Sequence, residues 1–159
     1  TIESSVKLIT DLSRNMNLII GRSTNESYIQ MAMLSLTVFK SRVYELIATG
    51  SVTDELMEQI KDHSGSRLGK WFYQGLGFST FGKLQSYRNF EPHLINMHTS
   101  AYDALKSITN KSVQDKLKYL ERMEEASNEL IHSLSSFNDD LHAMAQTAMD
   151  SDEDEDVLF

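Results

Sequence analysis

The densest concentration of chemically capable residues in this chain is Asp62-His63-Ser64-Gly65-Ser66-Arg67-Leu68-Gly69-Lys70-Trp71-Phe72-Tyr73-Gln74-Gly75, which holds the single tryptophan, three glycines and a histidine. It has the look of a metal-site motif without its metal-binding atom. Cysteine sulfur is a strong ligand in tetrahedral zinc sites, but the segment carries Ser66 and the chain contains no cysteine. Thiolate zinc chemistry is therefore excluded, as are disulfides and thiol redox sensing.

The five histidines are the remaining candidates for catalysis or metal binding, and their helical phase decides which of them can converge. His132 and His142 fall off the apolar stripe of the last helical run and read as solvated. Glu129-x-x-His132 and Asp139-x-x-His142 echo a di-iron pattern that draws its two motifs from different helices. Both lie here on one helix, ten residues and so roughly 80° apart, and the di-iron reading fails. His98 is in phase with Leu94, Ala101 and Leu105 and should point inward, neutral and resistant to protonation. His93, about 140° round the helix from it, should not share that direction. No serine is placed by the sequence beside a histidine and a carboxylate, and phosphate loops and dinucleotide fingerprints are absent. The chain reads as a protein that is not an enzyme.

The elements that would hold these residues are helical. One proline in 159 residues, with long stretches free of glycine, argues against a sheet with many turns. Val6, Ile9, Leu12, Met16 and Ile19 or Ile20 recur at spacings of three and four, a stripe narrow enough for a coiled-coil seam that favours a homodimer. Gly21 and the capping pattern Ser23-Thr24-Asn25-Glu26 mark a break or a kink before a second run to about Thr49. Thr53-Asp54 opens a short helix carrying Leu56, Met57 and Ile60. A loop loosened by Gly75, Gly77 and Gly82 leads to a helix with the stripe Leu84, Tyr87, Leu94, His98, Ala101, Leu105 and Ile108, which Pro92 should kink. Asn110 caps a last long helix with Val113, Met123, Leu120, Leu130, Leu134, Phe137, Leu141 and Met144 in a and d positions.

The expected fold is an all-α, antiparallel four-helix bundle with a short extra helix and an N-terminal coiled-coil-like extension. Residues 1–22 form a helical connector, 23–149 the bundle and 150–159 an acidic, disordered tail. The net charge is −8, but six negative charges sit at Asp150, Asp152, Glu153, Asp154, Glu155 and Asp156, so the rest is nearly balanced. No basic patch with interleaved aromatics is present, and neither nucleic acid nor a membrane surface fits as a partner. No apolar run approaches the roughly 20 residues of a spanning helix. The start at Thr1 suggests a fragment of a longer protein.

Asp62-His63 followed by Arg67-Leu68-Gly69-Lys70-Trp71-Phe72-Tyr73 resembles the CZB family, the chemoreceptor zinc-binding domains at the C-termini of bacterial chemoreceptors and on some diguanylate cyclases. Val38-Phe39-Lys40 with Val43-Tyr44 is similar to that family's His-x-x-Trp-Lys helix. Ser86-Tyr87 to His98, with Ala104-Leu105, is similar to its His-x-x-x-His helix. The resemblance spans roughly 24–149 and implies a cytoplasmic regulatory module working with the chemotaxis signalling proteins of a host receptor. In that family three histidines and one cysteine hold zinc. Carried over by position, they fall on Leu36, Ser66, Leu94 and His98, so the resemblance implies a degenerate member with an apolar plug at Leu36 and Leu94 and with Ser66 bonding His98. Two alternatives stand beside it: a zinc or other divalent-metal sensor using a rearranged set of His63, His93 and His98, and a histidine phosphotransfer bundle. The acidic run before Val157-Leu158-Phe159 looks like a receptor C-terminus that docks adaptation enzymes, with a plain solvated tail as the other reading.

Overall fold

The computed structural model describes residues 1–109 and 113–156, with side chains of the final helix described to Ser151. The protein is an all-α bundle, and no strand occurs among the described residues. Its first element, α1, runs unbroken from Ile2 to Thr49. The expected break at Gly21 to Glu26 does not occur. The Thr24 hydroxyl bonds back to the Ile20 carbonyl and the Ser27 hydroxyl to the Ser23 carbonyl, so these side chains serve the continuing helix instead of capping a new one. Gly50 ends α1 in the left-handed conformation at φ 65°, its N–H bonded to the Leu46 carbonyl, the backbone state that glycine tolerates best.

Thr53 caps α2 (Asp54–Lys61) by accepting the Leu56 N–H at 3.2 Å, with Asp54 and Glu55 in the first turn and Lys61 in the last, matching the helix dipole. Three short helices follow, α3 (Arg67–Tyr73), α4 (Leu76–Phe81) and α5 (Gln85–Arg88), of which α4 stands where Gly75, Gly77 and Gly82 suggested a loop. Helices this short gain little from propensity and depend on packing. That packing is aromatic: Phe72 stacks on Tyr87 and Phe90 at 4.5 and 5.1 Å, and Phe137 meets Phe81, Tyr87 and Phe90 at 5.4 to 6.0 Å. The Tyr87 hydroxyl donates to the Phe72 carbonyl at 2.6 Å, fixing α5 to α3.

Pro92 kinks nothing. Helix α6 spans Phe90–Thr109, which places Pro92 in its first turn, where a missing N–H breaks no intrahelical bond. Leu84, the N-cap of α5, and Tyr87, within α5, therefore lie on an element before α6, although both are buried. Asn110, read as a cap, lies outside the described residues.

Helix α7 (Val113–Asp156) supplies Met123, Leu130, Leu134 and Phe137 to the core, as the a and d pattern requires. It continues through Asp150, past the point where the sequence suggests a tail. In its last turns the Ser151 hydroxyl bonds back to the Thr147 carbonyl and the Gln146 amide donates forward to the Asp150 carboxylate, and extending a formed helix costs little. Helices α1 and α7 run antiparallel, joined by Arg22 to Asp139 at 2.7 Å and Lys40 to Glu124 at 3.1 Å. Three long helices thus frame the bundle, with α2 packed on α6, α3 and α4 on α1, and α5 on α6 and α7.

Candidate functional site

The segment Asp62 to Ser66 links α2 to α3 through side-chain bonds to its own backbone. The Asp62 carboxylate accepts the Gly65 N–H and the Ser64 hydroxyl, both at 3.0 Å, and these bonds hold its pKa below the usual carboxylate range. Ser66 is the N-cap of α3, its hydroxyl oxygen accepting the Gly69 N–H at 3.0 Å. A Cβ at Gly69 would collide with the His63 carbonyl. The glycine is therefore needed because α3 starts against the backbone of the turn before it.

The cap brings Ser66 to α6. Its hydroxyl stands 3.3 Å from Nε2 of His98, whose Nδ1 lies 2.7 Å from the Ile60 carbonyl. A carbonyl can only accept, so Nδ1 carries the ring proton and Nε2 offers a lone pair to the serine. His98 is 1% exposed. Burial lowers its proton affinity below the ordinary histidine value, more than the Ile60 bond raises it. The ring of Phe39 packs on the imidazole at 4.3 Å between centroids. A cavity of about 270 Å³ opens here, lined by Ser35, Val38, Phe39, Ser66, Arg67, Leu68 and His98.

Ser66 and His98 have the separation of a nucleophile and its base. The third member is the Ile60 carbonyl, however, which orients the ring without the negative charge that stabilises an imidazolium in a triad. The serine oxygen is also engaged by Gly69. The arrangement suits a structural latch between α2, α3 and α6 better than proton transfer.

His98 points inward, and the bond to Ser66 is present. Leu94, one turn before His98 on α6, is fully buried, and Leu36, on the turn of α1 before Phe39, is 1% exposed. His93 and His63 are half-buried, and the His63 ring stands 6.0 Å from that of Tyr73. Among the described residues, no three His, Cys, Asp or Glu side chains are placed to share a metal ion; the set His63, His93 and His98 is not assembled. The donor set at Leu36, Ser66, Leu94 and His98 does not fit zinc either, since it offers one imidazole and one hydroxyl. His132 and His142 are exposed. Of the motif residues, Lys70 is exposed, while Trp71 is 7% exposed and packs on Phe81, Tyr87 and Phe90. Gly77 lies flat against the indole, where a Cβ would stand 2.6 Å from it. Val157, Leu158 and Phe159 lie outside the described residues.

Sequence reasoning missed Phe39, Ser35 and the Ile60 carbonyl as neighbours of His98. Ser35 and Phe39 are four apart on α1, a spacing that signals a shared face; nothing in the sequence marks a backbone carbonyl as a partner. It also missed the triad of Lys40, Tyr44 and Glu124. There the Glu124 carboxylate accepts Lys40 at 3.1 Å and the Tyr44 hydroxyl at 2.6 Å. Burial and this carboxylate push the Tyr44 phenol up to about 12.

No protein-family model, curated protein or solved structure matches this chain. None of its described helices is long and apolar enough to cross a membrane.

Proposed function

We propose that this chain is a degenerate chemoreceptor zinc-binding bundle, a non-catalytic regulatory module of a bacterial chemoreceptor that signals through helix packing in the cytoplasm. One observation carries the reading. Ser66 and His98, 32 residues apart in sequence, stand at two positions where the resemblance assigns metal ligands, and their side chains lie 3.3 Å apart. A hydroxyl and a neutral imidazole occupy the space of a thiolate and its metal-bound partner, while Leu36 and Leu94 supply apolar bulk. The exposed stripe of Ile2, Val6, Ile9, Leu12, Met16 and Ile20 on α1 supports a connector that pairs two copies and joins them to a signalling hairpin, through which the chemotaxis signalling proteins are reached.

Zinc titration by calorimetry tests the reading. No stoichiometric binding tighter than micromolar is expected; such binding, abolished by His98→Ala, overturns it.

A further inference from the structure

Helix α1 has two apolar faces. The inner one, Ile29, Ala32, Leu36, Val43 and Leu46, is buried in the bundle. The outer one carries Met31, Leu34 and Val38, which are half or more exposed although they lie beside the folded core. At about 100° per residue, Leu34 points roughly 160° away from Leu36, so no element of the same chain can cover both. Leu34 is instead in step with the N-terminal stripe. From Ile2 the positions Val6, Ile9, Ser13, Met16, Ile20, Ser23, Ser27, Gln30 and Leu34 follow at alternating spacings of four and three, the period of a coiled-coil seam. Met31 and Val38 flank Leu34 on the same side.

We infer that a second copy of this chain seats in parallel along this whole outer face, so that the pairing extends beyond Ile20 to Val38, inside the bundle. The parallel sense rests on the proposed connector, in which both copies of α1 enter from the same end. Covering a large aliphatic side chain removes roughly 60–120 Å² from water. The five apolar seam residues from Ile2 to Ile20 then supply on the order of 300–600 Å² per copy, less than the roughly 800 Å² per partner of a stable interface. Met31, Leu34 and Val38 bring the face into that range. Charge does not oppose the match: Glu26 flanks the seam in α1, and in the parallel register it meets the neutral Met31 of the copy.

The seam is also divided. Two apolar blocks, Ile2 to Ile20 and Met31 to Val38, are separated by Ser23 and Ser27, which give a coiled coil little to bury. A groove of about 460 Å³ borders the second block, lined by Met31, Leu34, Ser35, Arg67, Lys70, Trp71, Gly75 and Leu76. Pairing there closes the groove beside Trp71, whose Nε1 has no hydrogen-bond partner among the described residues, and brings the partner's motion directly to the helix that Ser66 caps.

The absence of cysteine makes the test direct. Single variants Ile9→Cys, Ile20→Cys and Leu34→Cys, with Lys7→Cys on the opposite face as control, are oxidised in the full 159-residue chain. The first three are expected to give disulfide-linked dimers as the main species and the control to remain largely uncrosslinked, because a disulfide needs Cα atoms within about 7 Å. Linkage at Ile9 and Ile20 without Leu34 overturns the extension and leaves the connector dimer standing. Linkage at Ile20 alone indicates antiparallel copies and overturns the inference, and linkage at none overturns both readings. As a second measurement, Leu34→Glu, exposed and outside the core, is expected to raise the dimer dissociation constant at least about tenfold in sedimentation; an unchanged constant overturns the inference.

Discussion

The hydroxyl of Ser66 and Nε2 of His98 lie 3.3 Å apart, and the same hydroxyl oxygen caps α3 by accepting the Gly69 N–H at 3.0 Å. One atom thus fixes where a helix starts and what that start touches. The serine has a single proton and two acceptors for it, the imidazole and the His63 carbonyl 3.2 Å away. The first choice ties α3 to α6, and the second tightens the turn.

The buried imidazole makes stability depend on pH with a definite sign. His98 loses proton affinity on folding, so below its ordinary titration range the unfolded chain binds more protons than the folded one. Stability therefore falls as the pH drops below about 6.5 and stops falling on this account once the folded state also protonates, with a slope of at most about 1.4 kcal/mol per pH unit. In His98→Asn the amide can still donate to the Ile60 carbonyl, and this component of the pH dependence should vanish. Thermal melts of both proteins between pH 5 and 7.5 check it; equal slopes would remove His98 as the cause.

Rebuilding the metal site tests the positions that the resemblance assigns. Ser66→Cys alone joins one thiolate to one imidazole and should leave zinc binding weaker than micromolar. Leu36→His, Ser66→Cys and Leu94→His combined restore a closed four-ligand set and should bind one zinc, with a Zn–S distance of about 2.3 Å by X-ray absorption. If the triple variant folds without binding zinc, the four positions do not converge, and the assignment fails.

Long periodic segments made α1, α6 and α7 legible, and the inward direction of His98 followed from its phase with Leu94 and Ala101. Local signals were misleading where tertiary contacts decided. Ser23 and Thr24 have the types of a cap but bond within a continuing helix, and Pro92 begins α6 instead of bending it. The glycines at 75, 77 and 82 suggested a loop, yet Gly77 is there because the Trp71 indole lies on it. The bond between Ser66 and His98 was legible only through the resemblance, since no periodicity links α3 to α6. Its anchor on the Ile60 carbonyl carries no side-chain signature at all.

Gly69→Ala should be among the most damaging single substitutions outside the aromatic core. The added methyl meets the His63 carbonyl, which is backbone, so the turn must move away and take the Ser66 cap with it. Overpacking costs about 1–3 kcal/mol, and loss of the cap about 1 kcal/mol more. Urea unfolding monitored through Trp71 measures the total. A cost below about 0.5 kcal/mol, the range of ordinary surface substitutions, would mean that α3 does not depend on this approach.

Glu124 offers a probe of the contact between α1 and α7 that leaves the core untouched. Burial opposes its ionisation, but the Tyr44 hydroxyl and the Lys40 ammonium outweigh that and hold the carboxyl below its usual range. For Tyr44, burial is the larger cause of a phenol pushed up to about 12, with the carboxylate second. Glu124→Gln should therefore lower the Tyr44 titration only part of the way to 10.0, seen in the ultraviolet absorbance of tyrosinate after subtracting a Tyr44→Phe protein. Because the folded phenol holds its proton more tightly than the unfolded one, its contribution to stability is full below pH 10 and is lost as the pH rises toward 12. The substitution should shrink that alkaline loss. At neutral pH it should cost under about 1 kcal/mol, since Glu124 is 38% exposed and solvent screens the pair. A Tyr44 titration unmoved by Glu124→Gln would show that burial alone holds the phenol and that the two helices are not joined through this carboxylate.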